Sequence, residues 1–110
     1  MYSVVSSTSF CGHTAGNFPY NCMKEISGCA NECTQFSWCI AYSTFGDTRC
    51  YLMTSFGLCP SGWKVNEGHI ATSTNDLVAS SEEGYNCVVK VAGMTSFYLY
   101  KTSLPIKLQL

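Results

Sequence analysis

CANECTQFSWCIAYSTFGDTRCYL, residues 29–52, carries four cysteines, one tryptophan and two tyrosines in 24 positions. Its cysteines are Cys29, Cys33, Cys39 and Cys50, spaced C-x3-C and C-x5-C with the last just ahead of Tyr51 and Leu52. Zinc knuckles use close C-x2-C pairs with a second pair or histidines at set spacing. His13 and His69 follow no such pattern, so no metal ligand set is read here. A thioredoxin-type redox site needs C-x-x-C at a helix start, and no C-x-x-C occurs. The remaining reading is a structural disulfide frame.

Local patterning supports that frame. "SGCANECTQF" reads as a short helix, with Ser27 expected as its N-cap. Positions i and i+4 share a helix face, so Cys29 and Cys33 point at one partner surface. "WCIAYST" and "RCYLMTS" are β-branched, aromatic and apolar runs, and "FGDT" between them is a turn with Gly46 and Asp47. One helix with two cysteines over a hairpin with two gives an economical pairing. Cys33 bonds Cys39 across the tight helix-to-strand connection, and Cys29 bonds Cys50. The longer link closes a loop of about 20 residues, worth roughly 3 kcal/mol in the chain-entropy model.

C-x3-C-x5-C followed by "IAYS", a turn and "CYL" resembles the PAN/apple domain. The resemblance implies a small α+β fold, a disulfide-rich antiparallel sheet with one short helix packed on it. It implies the same two helix–hairpin disulfides. "GYNCVVKV" resembles the family's closing strand, whose cysteine bonds one near the N-terminus, so the resemblance pairs Cys87 with Cys11. Cys22 and Cys59 remain, and are expected to form an extra bridge that the family pattern does not require. The resemblance covers roughly residues 2–92 and rests on the cysteine frame and a few aromatics.

The rest of the chain is read coarsely. "YSVVSS" is expected as a first strand and "GHTAGNFPYN" as a loop. "FGLCPSGWKVNEG" is read as irregular, "HIATS" as a short strand and "TNDLVASSEEG" as a polar connection with room for one helical turn. The domain is expected to span 1–94, with a strand extension over 95–110. In that extension Leu104, Ile106, Leu108 and Leu110 alternate with Pro105, Lys107 and Gln109, and Phe97 and Leu99 alternate with Tyr98 and Tyr100. Period-two alternation marks a strand with one apolar face. It is expected either to fold back on its own domain or to join a neighbouring subunit by strand addition.

Bulk properties bound the function. The chain has 110 residues, enough for one domain with a modest core, and eight cysteines, an even number. Small chains dense in paired cysteines belong to oxidising compartments, so an extracellular or cell-surface location is expected. "MYSVVSSTSFCG" has neither the basic nor the apolar region of a signal peptide, so a mature chain or fragment is expected. Net charge is −1 and 12% of residues are charged, which gives no footprint for nucleic acid. No apolar run is long enough to span a bilayer. No nucleophile elbow or phosphate loop is found, and Glu82 and Glu83 read as solvated surface, so no enzymatic activity and no cofactor are expected. Two readings of function remain. One is an extracellular structural or adhesive subunit, assembled into filaments of its own copies through Phe97, Leu99, Leu104, Ile106, Leu108 and Leu110. The other is a secreted protein- or carbohydrate-binding, lectin-like module, for which Phe18, Tyr20, Trp38, Trp63 and Tyr85 supply aromatic surface.

Overall fold

The computed structural model describes residues 1–91. The boundary expected at residue 94, the extension 95–110 and its residues Phe97, Leu99, Leu104, Ile106, Leu108 and Leu110 lie outside the described residues. In chain order the elements are β1 (Tyr2–Ser6), β2 (Ser9–His13), β3 (Asn21–Lys24), α1 (Cys29–Gln35), β4 (Cys39–Phe45), β5 (Arg49–Thr54), β6 (Lys64–Asn66), a 3-10 turn (Thr74–Asp76), β7 (Leu77–Glu83) and β8 (Cys87–Lys90). The class is a small α+β fold built mostly of antiparallel sheet.

β1, β8, β4, β5, β3 and β6 form one six-stranded sheet in that order, and β2 and β7 form a separate two-stranded ribbon. The β4–β5 hairpin is in register from Phe45↔Arg49 back to Ala41↔Met53, with a bulge near Cys39. β5 is buried from Cys50 to Thr54. A strand covered on both faces reads as a continuous apolar run rather than an alternation, which is the pattern of "RCYLMTS".

The pleat sends alternate residues of β5 into two cores. Cys50 and Leu52 pack with Cys29, Cys33 and Cys39, flanked by Tyr2, Phe36, Trp38, Tyr42 and Trp63. Tyr51 and Met53 pack with Phe10, Cys11, Ala41, Leu77 and Cys87. Helix α1 therefore covers one face of the sheet and the β2–β7 ribbon covers the other. Leu52 is fully buried, and an aliphatic side chain removed from water in this way contributes about 1.5–3 kcal/mol.

Four disulfides tie the layers: Cys11–Cys87, Cys22–Cys59, Cys29–Cys50 and Cys33–Cys39. Two of them clamp α1 to β4 and β5. Cys11–Cys87 clamps the ribbon to β8, and the Cys11 N–H also donates to Ser43 Oγ on β4 at 3.2 Å. Cys22–Cys59 holds the segment between β5 and β6 against β3. At the sheet edge the Tyr2 hydroxyl donates to the Ala30 carbonyl of α1 at 3.0 Å.

Several local expectations are corrected. Ser27 is not the N-cap of α1. Gly28 is, with φ at 72° and no side-chain hydrogen bond to the first turn. A left-handed cap residue selects glycine, and the disulfides hold the helix in place of a capping side chain. "GHTAGNFPYN" is a loop that begins in the end of β2 and runs into the start of β3, "FGLCPSGWKVNEG" contains β6, and "TNDLVASSEEG" holds its helical turn at Thr74–Asp76 but goes on as β7. "HIATS" forms no strand, only a parallel bridge of His69 with Pro19.

Candidate functional site

On the ribbon face of the sheet, four aromatic side chains converge from four parts of the chain. Phe10 comes from β2, Tyr51 from β5, Tyr85 from the β7–β8 turn, and Phe18 from the loop between β2 and β3. Phe10 is nearly buried and central. Its ring lies 5.0 Å from Tyr51, 5.1 Å from Tyr85 and 5.6 Å from Phe18, each contact within 8° of perpendicular. Tyr51 and Tyr85 meet at 5.7 Å and 77°. Edge-to-face contacts of this kind are favourable because the positive ring edge meets the negative ring face.

These rings floor an open groove of about 320 Å³, walled by Asn21, Asn66, Glu67 and Glu82. Register explains the amides. Asn21 of β3 stands directly opposite Asn66 of β6, so both side chains leave the same face. Asn66 Nδ2 donates to Asn21 Oδ1 at 2.9 Å, and Asn21 Nδ2 donates to the Pro19 carbonyl at 3.0 Å. Asn21 is buried with both its polar atoms engaged, which fixes the pair, and Asn66 keeps its own Oδ1 as an acceptor.

Charge is unevenly distributed around the rings. The Arg49 guanidinium sits 4.6 Å from the centre of the Phe45 ring and donates to the Tyr51 hydroxyl at 2.9 Å. Phe45 lies 5.2 Å from Tyr85, so this cation occupies one end of the aromatic cluster. The groove end carries Glu67 and Glu82, and among the described residues no lysine, arginine or histidine lines it. Burial, then the neighbouring Tyr51 phenol, raises the Tyr85 phenol above its ordinary value.

The chain matches no family model, no curated protein and no solved structure.

Of the aromatics singled out in the sequence, the groove takes Phe18 and Tyr85. Tyr20 is half-buried beside the Pro19 bridge. Trp38 and Trp63 lie in the helix-side core. Trp38 stacks on Phe36 at 4.7 Å, and Lys24 Nζ lies 5.5 Å from the Trp63 ring. Glu82 lines the groove, while Glu83 is exposed opposite Ser9. Phe10, Tyr51, Asn21, Asn66 and Glu67 were not legible as site residues. Phe10 and Tyr51 each adjoin a bridged cysteine and read as core, and the asparagines require the β3–β6 register. Among the described residues no three histidine, cysteine or acidic side chains gather as metal ligands, and no helix is long and apolar enough to cross a membrane. The groove offers aromatic surface, the free Oδ1 of Asn66 and two carboxylates.

Proposed function

We propose that the chain is a secreted, non-enzymatic recognition module of PAN/apple-like architecture, binding an extracellular partner in the groove of Phe10, Phe18, Tyr51 and Tyr85. The observation that carries this reading is the groove itself. Ligand sites are concave and largely apolar, with a few fixed polar groups that set orientation, and this one joins an aromatic floor to the clamped Asn21–Asn66 pair. Four disulfides are compatible with life outside the cell. The PAN/apple assignment is supported by the cysteine spacing and by the helix clamped on the central hairpin.

The test is to titrate the chain with soluble glycans and peptides and follow backbone amide chemical shifts. Ligands that bind should move the amides of Phe10, Phe18, Tyr51 and Tyr85, and Phe18→Ala with Tyr85→Ala should abolish those shifts while the fold persists. Ligands that bind without touching these amides would refute the reading.

One observation favours a second reading, the self-assembling subunit. β1 is an edge strand of five residues, YSVVS, with no charge and no proline, and Val4 is 63% exposed. Native edges are normally blunted by charge, proline or cover, so β1 is a candidate receiver for the alternating Leu104, Ile106, Leu108 and Leu110 of another copy. Val4→Lys, or Ile106→Asp with Leu108→Asp, should then convert a large species in gel filtration to a monomer. A wild-type chain that elutes as a monomer at all concentrations rules this reading out.

A further inference from the structure

We infer that the groove takes a lysine side chain of a protein partner, holding its ammonium group among the aromatic rings and the carboxylates of Glu67 and Glu82. This deepens the recognition reading above and rests on it. Three observations carry the inference.

The first is the arrangement of the walls. Phe10, Tyr51 and Tyr85 meet pairwise at 77° to 87°. Three nearly perpendicular rings form a corner rather than a platform, and of the groove rings Phe18, 41% exposed, leaves the most surface on which a compact cation can meet ring π density. A sugar ring prefers a single broad face to lie on, and rings set at right angles break that platform.

The second is the sign of the charge. Among the described residues the groove is lined by Glu67 and Glu82 and by no basic side chain, and Arg49 touches it only from behind, through the Tyr51 hydroxyl. A carboxylate or phosphate ligand would be repelled there, and so would an ammonium that carries a phosphate next to it, as in a phosphocholine headgroup. The ammonium at the end of a lysine stem has no such neighbour. Its alkyl stem can lie along Phe18, which is 41% exposed, as such stems commonly cover apolar surface.

The third is that the same aromatic cluster already holds a cation. The Arg49 guanidinium over Phe45 is fixed by the Tyr51 hydroxyl. Arg49 therefore shows that a ring of this cluster can hold a cation over its face, and at the groove end Glu67 and Glu82 oppose the repulsion that its charge exerts on a second one.

The experiment titrates the full disulfide-bonded chain with a blocked lysine-containing tripeptide and with its norleucine counterpart, which keeps the stem and lacks the charge. Amide shifts of Tyr51, Tyr85, Asn66 and Glu82 report groove occupancy. The lysine peptide should bind about tenfold more tightly, the scale of a partly desolvated cation–π contact, and its affinity should fall severalfold as salt rises. Glu67→Gln with Glu82→Gln should weaken lysine binding severalfold and leave norleucine binding unchanged. Tyr85→Leu should weaken it about tenfold. Equal affinity for the two peptides overturns the assignment, as does preference for a neutral oligosaccharide or for phosphocholine, and in each of those cases the groove stands as a binding site. A chain whose groove amides respond to none of these probes overturns both the lysine assignment and the recognition reading.

Discussion

Replacing Cys11 and Cys87 together by alanine should destabilise the domain far more than replacing Cys33 and Cys39 together. All four cysteines are fully buried, so the lost sulfur burial is similar in the two variants and largely cancels between them. What differs is the loop each bond closes. Cys11–Cys87 spans 76 residues and Cys33–Cys39 spans six. The chain-entropy model gives about 4.5 kcal/mol for a loop of the first length and about 2.2 kcal/mol for the second. The difference of about 2 kcal/mol corresponds to a gap in melting temperature of roughly 8–16 °C for a domain of this size. The structure adds to this, because Cys11–Cys87 clamps the ribbon to the sheet, whereas α1 remains tied by Cys29–Cys50 when Cys33–Cys39 is lost. Calorimetry of both variants under non-reducing conditions measures the gap. Equal melting temperatures, or a larger loss in the Cys33/Cys39 variant, would refute the view that ribbon docking depends on the long closure.

Gly68→Ala should cost about 1–3 kcal/mol in urea unfolding, because a Cβ there would overlap the Phe18 carbonyl oxygen and crowd the Pro19 backbone, neither of which can rotate aside. Gly28→Ala should lose about 1 kcal/mol through its left-handed backbone, whereas Ser27→Ala should be nearly neutral by the same measurement. Tyr42 has its phenol raised above 10.0 by burial and by the adjacent Tyr2. The unfolded phenol loses its proton first as pH rises past 10.0, the native state then holds more protons, and stability falls. Tyr42→Phe should therefore flatten the alkaline decline of the urea midpoint. Tyr85, also raised by burial, should preserve part of that decline, and an unchanged slope would show that Tyr42 does not contribute.

The helix and hairpin were legible because their signals are local. Cys29 and Cys33 are one helical turn apart, and the two runs around "FGDT" are rich in strand-forming residues. β7 was not legible, since LVASSEE buries only Leu77 and exposes most of its remainder. It is a strand because β2 pairs with it, and no periodicity records that partner. β6 fails for a similar reason, as three residues with two exposed carry too little pattern to separate strand from loop. Ser27 misled because a capping side chain is a local preference, while disulfides fix α1 from outside the helix. The groove was half legible. Phe18 and Tyr85 stood out as aromatics in polar segments, but Phe10 and Tyr51 looked like core, and they are also the floor on which the exposed rings stand.

The strand order β1–β8–β4 puts the last described strand between the first and the fourth. During synthesis, β1 and β4 emerge long before β8 and cannot pair with each other in the native sheet. A slot one strand wide must stay open until residues 87–90 arrive. Cys11 waits across the same interval as a thiol, while Cys22, Cys29, Cys33, Cys39, Cys50 and Cys59 can all find their native partners before Cys87 is made. The topology therefore allows the other three bridges to close first and leaves the ribbon to be locked last. If oxidation keeps pace with synthesis, the state just before that closure holds one unpaired cysteine near its N-terminus beside an unfilled sheet slot, and Cys11 is then the thiol open to mixed disulfides with other chains.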